Sequence, residues 1–307
     1  MNPVSTSPSP EEIARAKAKA AAKARRSQSC LVPIQPNGTK RPIFCIHPHA
    51  GVVFPYYELA FCLGEEQPFY GLQSVGIVGP TRALTSIESM ATHYIKALRT
   101  VQPEGPYALG GWSMGAMIAF EMAQQLQQMG ESVLLISLDG TANQTNKFIT
   151  IWEMVKFTTT SAVRDIWPYV FDYFNLTGLT DEKTKIQQQS DRTKLQTSDR
   201  TAQIAKAIGE RSQTAKFRQA SIQRLFPIFW ANTKTLIKYR PQPYPGQVTL
   251  LRSGGSVGNV RRDPTLGWGD LAAKGVKIIN IPGHHLNILR QPHVETLAET
   301  LKTCLDS

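Results

Sequence analysis

Short apolar runs and longer amphipathic stretches alternate along most of this chain. Four of the apolar runs have the length of buried strands: residues 42–47, 69–74, 106–111 and 132–139. Apolar residues recur at helical spacing over 86–101, and again from Met114 to a helix stop at Gly130. Strands that alternate with helices in this way predict a parallel sheet with helices on both faces.

A different pattern fills residues 141 to about 240, which are rich in Lys, Arg and Gln and contain many large aromatic side chains. The spacing there predicts helices. The strand pattern resumes at 247–253 and 276–281, and a last helix is predicted near 293–305. We therefore predict one α/β domain over residues 31–307, with a helical insertion at about 141–240.

Residues 1–30 differ from the rest of the chain. The first ten residues are rich in Pro and Ser and are expected to be disordered, while Ser9, Pro10 and Glu12 form a capping box that predicts a helix over 11–26. That helix is basic and has almost no apolar stripe, so we expect it to pack weakly on a core. A solvated tail and a docking element for a partner protein both remain open for this extension.

Composition and charge limit the kinds of partner and the cellular location that we expect for this chain. The net charge of +11 invites nucleic acid as a partner, but the basic residues are spread along the chain without a zinc-finger or RNP pattern. We therefore expect no nucleic-acid partner, and an acidic protein suits the charge better. The chain also lacks an apolar run long enough for a membrane span and the apolar region of a secretory signal. The four cysteines, which lack metal or disulfide spacing, predict reduced thiols, no metal and a cytoplasmic location: Cys30, Cys45, Cys62 and Cys304.

The stretch GGWSMGA at residues 110–116 carries the most informative motif. It places Ser113 between a strand and a helix, with Gly111 and Gly115 two residues to either side. This is the context of a nucleophile elbow, a sharp turn that holds the serine at positive φ and lifts its hydroxyl clear of the sheet. The glycines would remove side chains that collide in such a turn. The alternative is a glycine-rich turn whose serine caps the helix.

A serine hydroxyl needs a base to accept its proton and a carboxylate to orient that base. Strand ends supply the candidates in the chain order Ser, Asp, His. Asp139 closes the strand after the elbow helix, and His284 and His285 follow the last strand. A structural turn with Gly140 is the alternative for Asp139. His47 precedes the serine, so it is poorly placed to be the base if this order holds.

An oxyanion that forms during attack on an ester or thioester needs backbone N–H donors. The elbow predicts one donor from Met114, the residue after the serine, and a second from a loop after an early strand. Residues 47–53 are that loop, and Gly51 permits a tight backbone path within it.

Five motifs together resemble the thioesterase domains of nonribosomal peptide and polyketide synthases, which have the α/β-hydrolase fold. The motifs are IFCIHPHAGVVFPYYELA, GGWSMGAMIAFEMA, LLISLDG, DPTLGWGDL and IPGHHLNIL. The resemblance covers about Leu31 to Leu305. It implies Ser113 as the nucleophile, Asp139 as the orienting acid and His285 as the base.

The same resemblance implies roles for residues that the motifs alone leave open. It favours His49 over Ala50 as the second backbone donor, and it assigns His284 to a variable position. It makes the insertion at 141–240 a lid over an acyl chamber. Editing thioesterases carry the acid after a later strand, so Asp263 remains the alternative to Asp139.

The substrates of this family are acyl or peptidyl chains held on the phosphopantetheine of a carrier protein. The resemblance therefore implies an acyl or peptidyl carrier protein, or a synthase module, as the partner, and no cofactor of the enzyme's own. Chain release would follow by hydrolysis or by cyclisation. A stand-alone esterase or lipase, an editing thioesterase and a non-enzymatic scaffold remain as alternatives.

Overall fold

A mostly parallel sheet forms the centre of the computed structural model, which describes residues 29–77, 83–142, 215–255 and 263–306. In these ranges the sheet has seven strands: β1 (Leu31–Gln35), β2 (Ile43–Ile46), β3 (Phe69–Leu72), β4 (Tyr107–Trp112), β5 (Val133–Leu138), β6 (Val248–Gly255) and β7 (Val276–His284). Their order is β1-β3-β2-β4-β5-β6-β7, and every neighbouring pair is parallel except β1 and β3. The parallel sheet predicted from the apolar pattern is therefore confirmed.

Helices cover both faces of this sheet. The described α-helices are α1 (Tyr57–Leu63), α2 (Ile87–Leu98), α3 (Met114–Gln128), α4 (Ala215–Lys238) and α5 (His293–Leu305). Alternate side chains of β2 show the two layers, because Phe44 and Ile46 pack with α2 and α3, whereas Ile43 and Cys45 pack with α1 and α5. All four are fully buried. This burial on both faces is why β2 appears in the sequence as an unbroken apolar run.

Most predicted elements occur within three residues of their predicted bounds, but two elements were not predicted. These are β1, at the edge of the sheet, and α1, which follows a 3-10 turn at Phe54–Tyr56.

Two predicted regions lie outside the described residues: 1–28 of the N-terminal extension and 143–214 of the insertion. The disorder and helix expected in the first, and the lid expected in the second, therefore remain predictions. Helix α4 is the described end of the insertion. Across the described ranges, no helix has the length and apolar content that a membrane crossing would need.

Candidate active site

Ser113 occupies a one-residue turn between the centre of the sheet and a helix. Strand β4 ends at Trp112 and α3 begins at Met114, so the serine alone reverses the chain direction. Its backbone has φ 58° and ψ −123°, a conformation that costs a non-glycine residue free energy and is typical of functional turns. A side-chain carbon at Gly111 would overlap the backbone of Gly115, and one at Gly115 would overlap the Ile46 carbonyl, so the turn needs glycine at both positions.

The side chain of Ser113 does not cap helix α3. The structure records no hydrogen bond from this side chain to the first turn of the helix, although the serine stands at the N-cap position. Instead, the Ser113 carbonyl accepts a hydrogen bond from Ala116 N at 3.1 Å. The capping alternative considered from the sequence therefore does not describe this serine.

Asp139 lies directly after β5 with its carboxylate held by the next strand. The Oδ1 atom accepts a hydrogen bond from Ser253 N at 2.7 Å, and Oδ2 accepts one from Ser253 Oγ at 2.9 Å. The Asp139 side chain is 1% exposed, so these donors replace the water that would otherwise solvate it. The sequence interpretation missed Ser253, whose signal was a polar residue at the end of an apolar strand.

His285 follows β7 and meets Asp139 across the carboxyl edge of the sheet. The distance from His285 Nδ1 to Asp139 Oδ2 is 2.8 Å. Because an ionised carboxylate can only accept hydrogen bonds, Nδ1 is the donor, and in the neutral tautomer of the ring the lone pair lies on Nε2. The imidazole is 20% exposed, so it can contact a substrate while the Asp139 carboxylate behind it is shielded from water.

Trp112 connects the loop that contains His285 with the turn at Ser113. Its indole Nε1 donates a hydrogen bond to the His285 carbonyl at 3.0 Å, and the two rings lie 5.4 Å apart. Because Trp112 directly precedes Ser113, these contacts bring the loop after β7 to the elbow after β4.

The two alternative residues are engaged elsewhere. Asp263 accepts hydrogen bonds from Thr265 N, Thr265 Oγ1 and Gly267 N at 2.6–2.8 Å, so its carboxylate stabilises a local turn. Partial burial raises the pKa of Asp263, but these hydrogen bonds outweigh that effect and lower it overall. The His284 side chain is exposed, and its Nδ1 accepts a hydrogen bond from Leu286 N at 3.3 Å. Among the described contacts, Asp139 rather than Asp263 pairs with His285.

His47 is a buried structural histidine. Its Nδ1 donates to the Pro48 carbonyl at 2.8 Å, and its Nε2 accepts from the Tyr94 hydroxyl at the same distance. Burial lowers its pKa to about 4, and the bond to Pro48 opposes this shift only in part. The ring is therefore neutral at pH 7 and fully used in packing the start of the 47–53 loop.

Tyr56 separates the ends of two parallel strands beside the serine. Its hydroxyl donates to the Ile46 carbonyl at 2.6 Å and accepts from Trp112 N at 2.9 Å. The direct pairing of β2 with β4 reaches Ile46 and Gly111, and the Tyr56 hydroxyl bridges the next step. The Tyr56 hydroxyl thus takes the place of the next direct hydrogen bond between the two strands, at the point where the 47–53 loop and the serine turn begin. No sequence signal distinguished Tyr56 from an ordinary core aromatic.

The described ranges contain no group of three or more His, Cys, Asp or Glu side chains arranged to bind a metal ion.

Comparison with known proteins found a family model that matches part of the chain. A family model described as Thioesterase domain matches residues 41–148, which contain both Ser113 and Asp139. Malpibaldin synthetase from Mortierella alpina is 38% identical over 138 residues, and a dimodular nonribosomal peptide synthase from Bacillus subtilis is 45% identical over 114. These stretches make up 45% and 37% of this chain, but only 2% and 5% of the two relatives, so the chain spans a small part of them.

Solved structures of thioesterase domains share the fold. The NocB thioesterase domain, in covalent complex with a fluorophosphonate nocardicin G analogue, has a TM-score of 0.60 at 20% identity and covers 90% of this chain and 100% of its own. The Vlm2 thioesterase domain with a bound dodecadepsipeptide has a TM-score of 0.58 at 21% identity over 90% of this chain and 98% of its own. The α/β-hydrolase fold is thereby confirmed.

Proposed function

We propose that this chain, whose residues 41–148 match the thioesterase domain family, is a serine thioesterase. In this proposal it releases an acyl, polyketide or peptidyl chain from the phosphopantetheine of a carrier protein. The released chain passes through an ester on Ser113, with His285 as the base and Asp139 as the orienting acid.

The hydrogen bond between His285 Nδ1 and Asp139 Oδ2 carries this proposal. It joins residues that lie 146 positions apart in the sequence, and it fixes the imidazole in the tautomer that a general base needs. The positive φ of Ser113 and the Trp112 link between the two loops support the same assignment.

The proposed reaction has two balanced steps. In the first, Ser113 Oγ attacks the thioester carbonyl and its proton passes to His285 Nε2. The carbon–sulfur bond breaks, and the departing pantetheine thiolate takes that proton as a thiol. In the second, water or a nucleophile within the chain gives its proton to His285 and attacks the ester, and Ser113 leaves with the proton to regain its hydroxyl.

Backbone amides would stabilise the negative charge on the carbonyl oxygen in both steps. We assign this role to Met114 N, at the start of α3, and to His49 N, in the loop after β2. The N-terminus of α3 adds a favourable dipole for an anion at that point.

The proposed partner is an acidic carrier protein or synthase module, and residues 141–240 are proposed to form the lid over the acyl chain. The net charge of +11 supports an acidic partner, because complementary charge speeds association at low salt. The four cysteines, all within the described residues, form no disulfide, which agrees with the proposed cytoplasmic location. Association with carrier protein that does not weaken as salt increases would contradict this part of the proposal.

Intact mass measurement after incubation with a panel of acyl-pantetheine thioesters tests the reaction. The expected result is a mass increase equal to the acyl group, located on Ser113 and lost in Ser113→Ala. A fluorophosphonate should label the same residue. An adduct that persists in a folded Ser113→Ala protein, or a wild type that neither reagent modifies, would overturn the proposal.

A further inference from the structure

Helix α4 contacts His49 of the 47–53 loop through both the main chain and the side chain of that residue. The side-chain amide of Asn232 donates from Nδ2 to the His49 carbonyl at 2.8 Å. The His49 ring lies 2.7 Å, through Nε2, from Thr233 Oγ1, and it packs edge-on against Phe229 at 4.4 Å. Helix α4 therefore holds both the main chain and the side chain of His49.

The hydrogen bond between His49 and Thr233 has a defined direction. The Thr233 hydroxyl donates its proton to the Phe229 carbonyl at 2.9 Å, so its oxygen accepts from His49 Nε2–H. Burial lowers the pKa of His49 to about 3, with further lowering by His47, so the ring is neutral at pH 7. The contact is thus a neutral hydrogen bond that persists over the physiological pH range.

An apolar contact fixes α4 against the same loop. Ile228 and Leu225 pack with Val52 and Ile77 in a small cluster separate from the two main cores. Gly51 faces this cluster, and a side-chain carbon there would come 2.8 Å from the Ile228 methyl group Cγ2. The loop and the helix consequently pack closely at Gly51, two residues from His49.

The far end of α4 is attached to the elbow helix. The Tyr239 hydroxyl, just past α4, donates to Glu121 Oε2 on α3 at 2.6 Å. Burial, together with the Glu121 charge, raises the pKa of Tyr239, so the phenol keeps its proton and remains a donor. One helix thus contacts the loop that contains His49 and the helix that begins at Met114.

Packing stability alone gives no reason for an amide at position 232. Asn232 is fully buried, and among the described residues its Oδ1 atom has no hydrogen-bond partner. A buried carbonyl without a partner costs free energy that an apolar side chain of similar volume would not cost. The interaction that the amide does make is the bond to the His49 carbonyl.

We propose that Asn232 is a positioning residue that sets the direction of the His49 N–H group in the oxyanion hole. With the His49 carbonyl held by Asn232 and its ring held by Thr233, two substituents of the His49 Cα are held in place. The backbone nitrogen, the third substituent, is then placed by the tetrahedral geometry of that carbon. This inference rests on the proposed function, and it makes the described end of the insertion part of the catalytic geometry.

Two substitutions at position 232 and one matched control test the inference. Asn232→Leu keeps the branch point and the number of side-chain heavy atoms and removes the donor. Asn232→Asp keeps the shape and makes the donor depend on pH, because only a protonated carboxyl can donate to the His49 carbonyl. Thr235→Val is the control, since Thr235 is buried in the same helix and its hydroxyl has no partner among the described residues.

The measurements are the rate of Ser113 acylation by an acyl-pantetheine thioester at saturation and the half-saturating concentration. For Asn232→Leu we expect the saturating rate to fall by about 10- to 100-fold, because a misdirected donor loses transition-state stabilisation. The half-saturating concentration should change less than about threefold, since uniform binding is untouched. Thr235→Val should match the wild type in both values.

Asn232→Asp adds a pH dependence of the acylation rate, which a purely structural role of Asn232 would not produce. Burial raises the pKa of such a carboxyl, so it donates at low pH and repels the carbonyl once ionised. Its rate relative to wild type should therefore fall as the pH rises from 5.5 to 8. A ratio that stays flat, an Asn232→Leu rate within threefold of wild type, or an equal loss in Thr235→Val would overturn the inference.

The experiments distinguish a failure of the proposed function from a failure of the inference about Asn232. A wild type that the thioester does not acylate would contradict the thioesterase assignment, whatever the variants do. Phosphonylation of Ser113 by a fluorophosphonate uses the same oxyanion hole, so its rate in the same variants would still decide the role of Asn232. If Asn232→Leu does not fold, the pH series of Asn232→Asp supplies the decision.

Discussion

Replacing Asp139 with Asn would reverse the hydrogen bond that orients His285. The Oδ1 position faces Ser253 N at 2.7 Å, and a main-chain amide can only donate. The new NH2 group cannot occupy that position without placing two donors against each other. It must therefore take the Oδ2 position, 2.8 Å from His285 Nδ1.

This forced orientation determines the size of the effect. An amide that donates to Nδ1 moves the imidazole proton to Nε2, where it blocks acceptance of the Ser113 proton. The wrong tautomer costs about 10⁴-fold in the rate of a serine hydrolase, which corresponds to roughly 5 kcal/mol of activation free energy. The fold should be less affected, because the Ser253 hydroxyl can rotate from donor to acceptor. A change of about 1–2 kcal/mol in the free energy of unfolding is expected.

The assay is the Ser113 acylation rate from intact mass, measured for Asp139→Asn beside Asp263→Asn. The second variant weakens three hydrogen bonds within a turn, so it should lose about 1–2 kcal/mol of stability and little of its acylation rate. An Asp263→Asn protein that is slower than Asp139→Asn would refute the assignment and place the acid on the later loop.

Three further changes test other parts of the site. Gly115→Ala would drive a methyl group into the Ile46 carbonyl, so urea titration should show about 1–3 kcal/mol of lost stability; a neutral result would contradict the close packing of the elbow. His47 binds a proton more weakly when folded than when unfolded, so stability should fall with decreasing pH below 6.5. Its share is about 2 kcal/mol between pH 7 and 5, and urea titrations of a His47→Gln variant should lack that share of the slope. His284→Ala should keep its acylation rate within about threefold, whereas a collapse matching that of His285→Ala would transfer the role of base.

Periodicity predicted the centre of the fold better than its edge. Strands buried on both faces, such as β2 and β4, appear as unbroken apolar runs with clear ends. Strand β1 escaped prediction because Pro33 interrupts a short run, and such a strand is tolerated at an edge with an irregular register. Helix α1 escaped because its seven residues give too few turns for a helical period to be detected.

The candidate site likewise contains residues that the sequence predicted and residues that it did not. The local motif predicted Ser113, and strand ends predicted that Asp139 would meet one of the two histidines at 284 and 285, because these signals lie within a few residues of sequence. The family resemblance then selected His285. Ser253 and Asn232 act through contacts 114 and 183 positions away in the chain. No local pattern marks such partners, since a serine ending a strand or an asparagine within a helix has many possible roles.

The order of the strands explains how Asp139 can follow β5 and still form a hydrogen bond with a histidine after β7. Strand β6 lies between them, so Asp139 must reach across two strand spacings of about 4.8 Å each. The left-handed φ of 53° turns it toward β6, and Ser253 meets its carboxylate there with both the main-chain and the side-chain donor. A larger or apolar side chain at 253 would obstruct that path or leave a dry charge without solvation. The contact between Asp139 and His285 therefore depends on strand β6, and Ser253 is the residue of β6 that supports it.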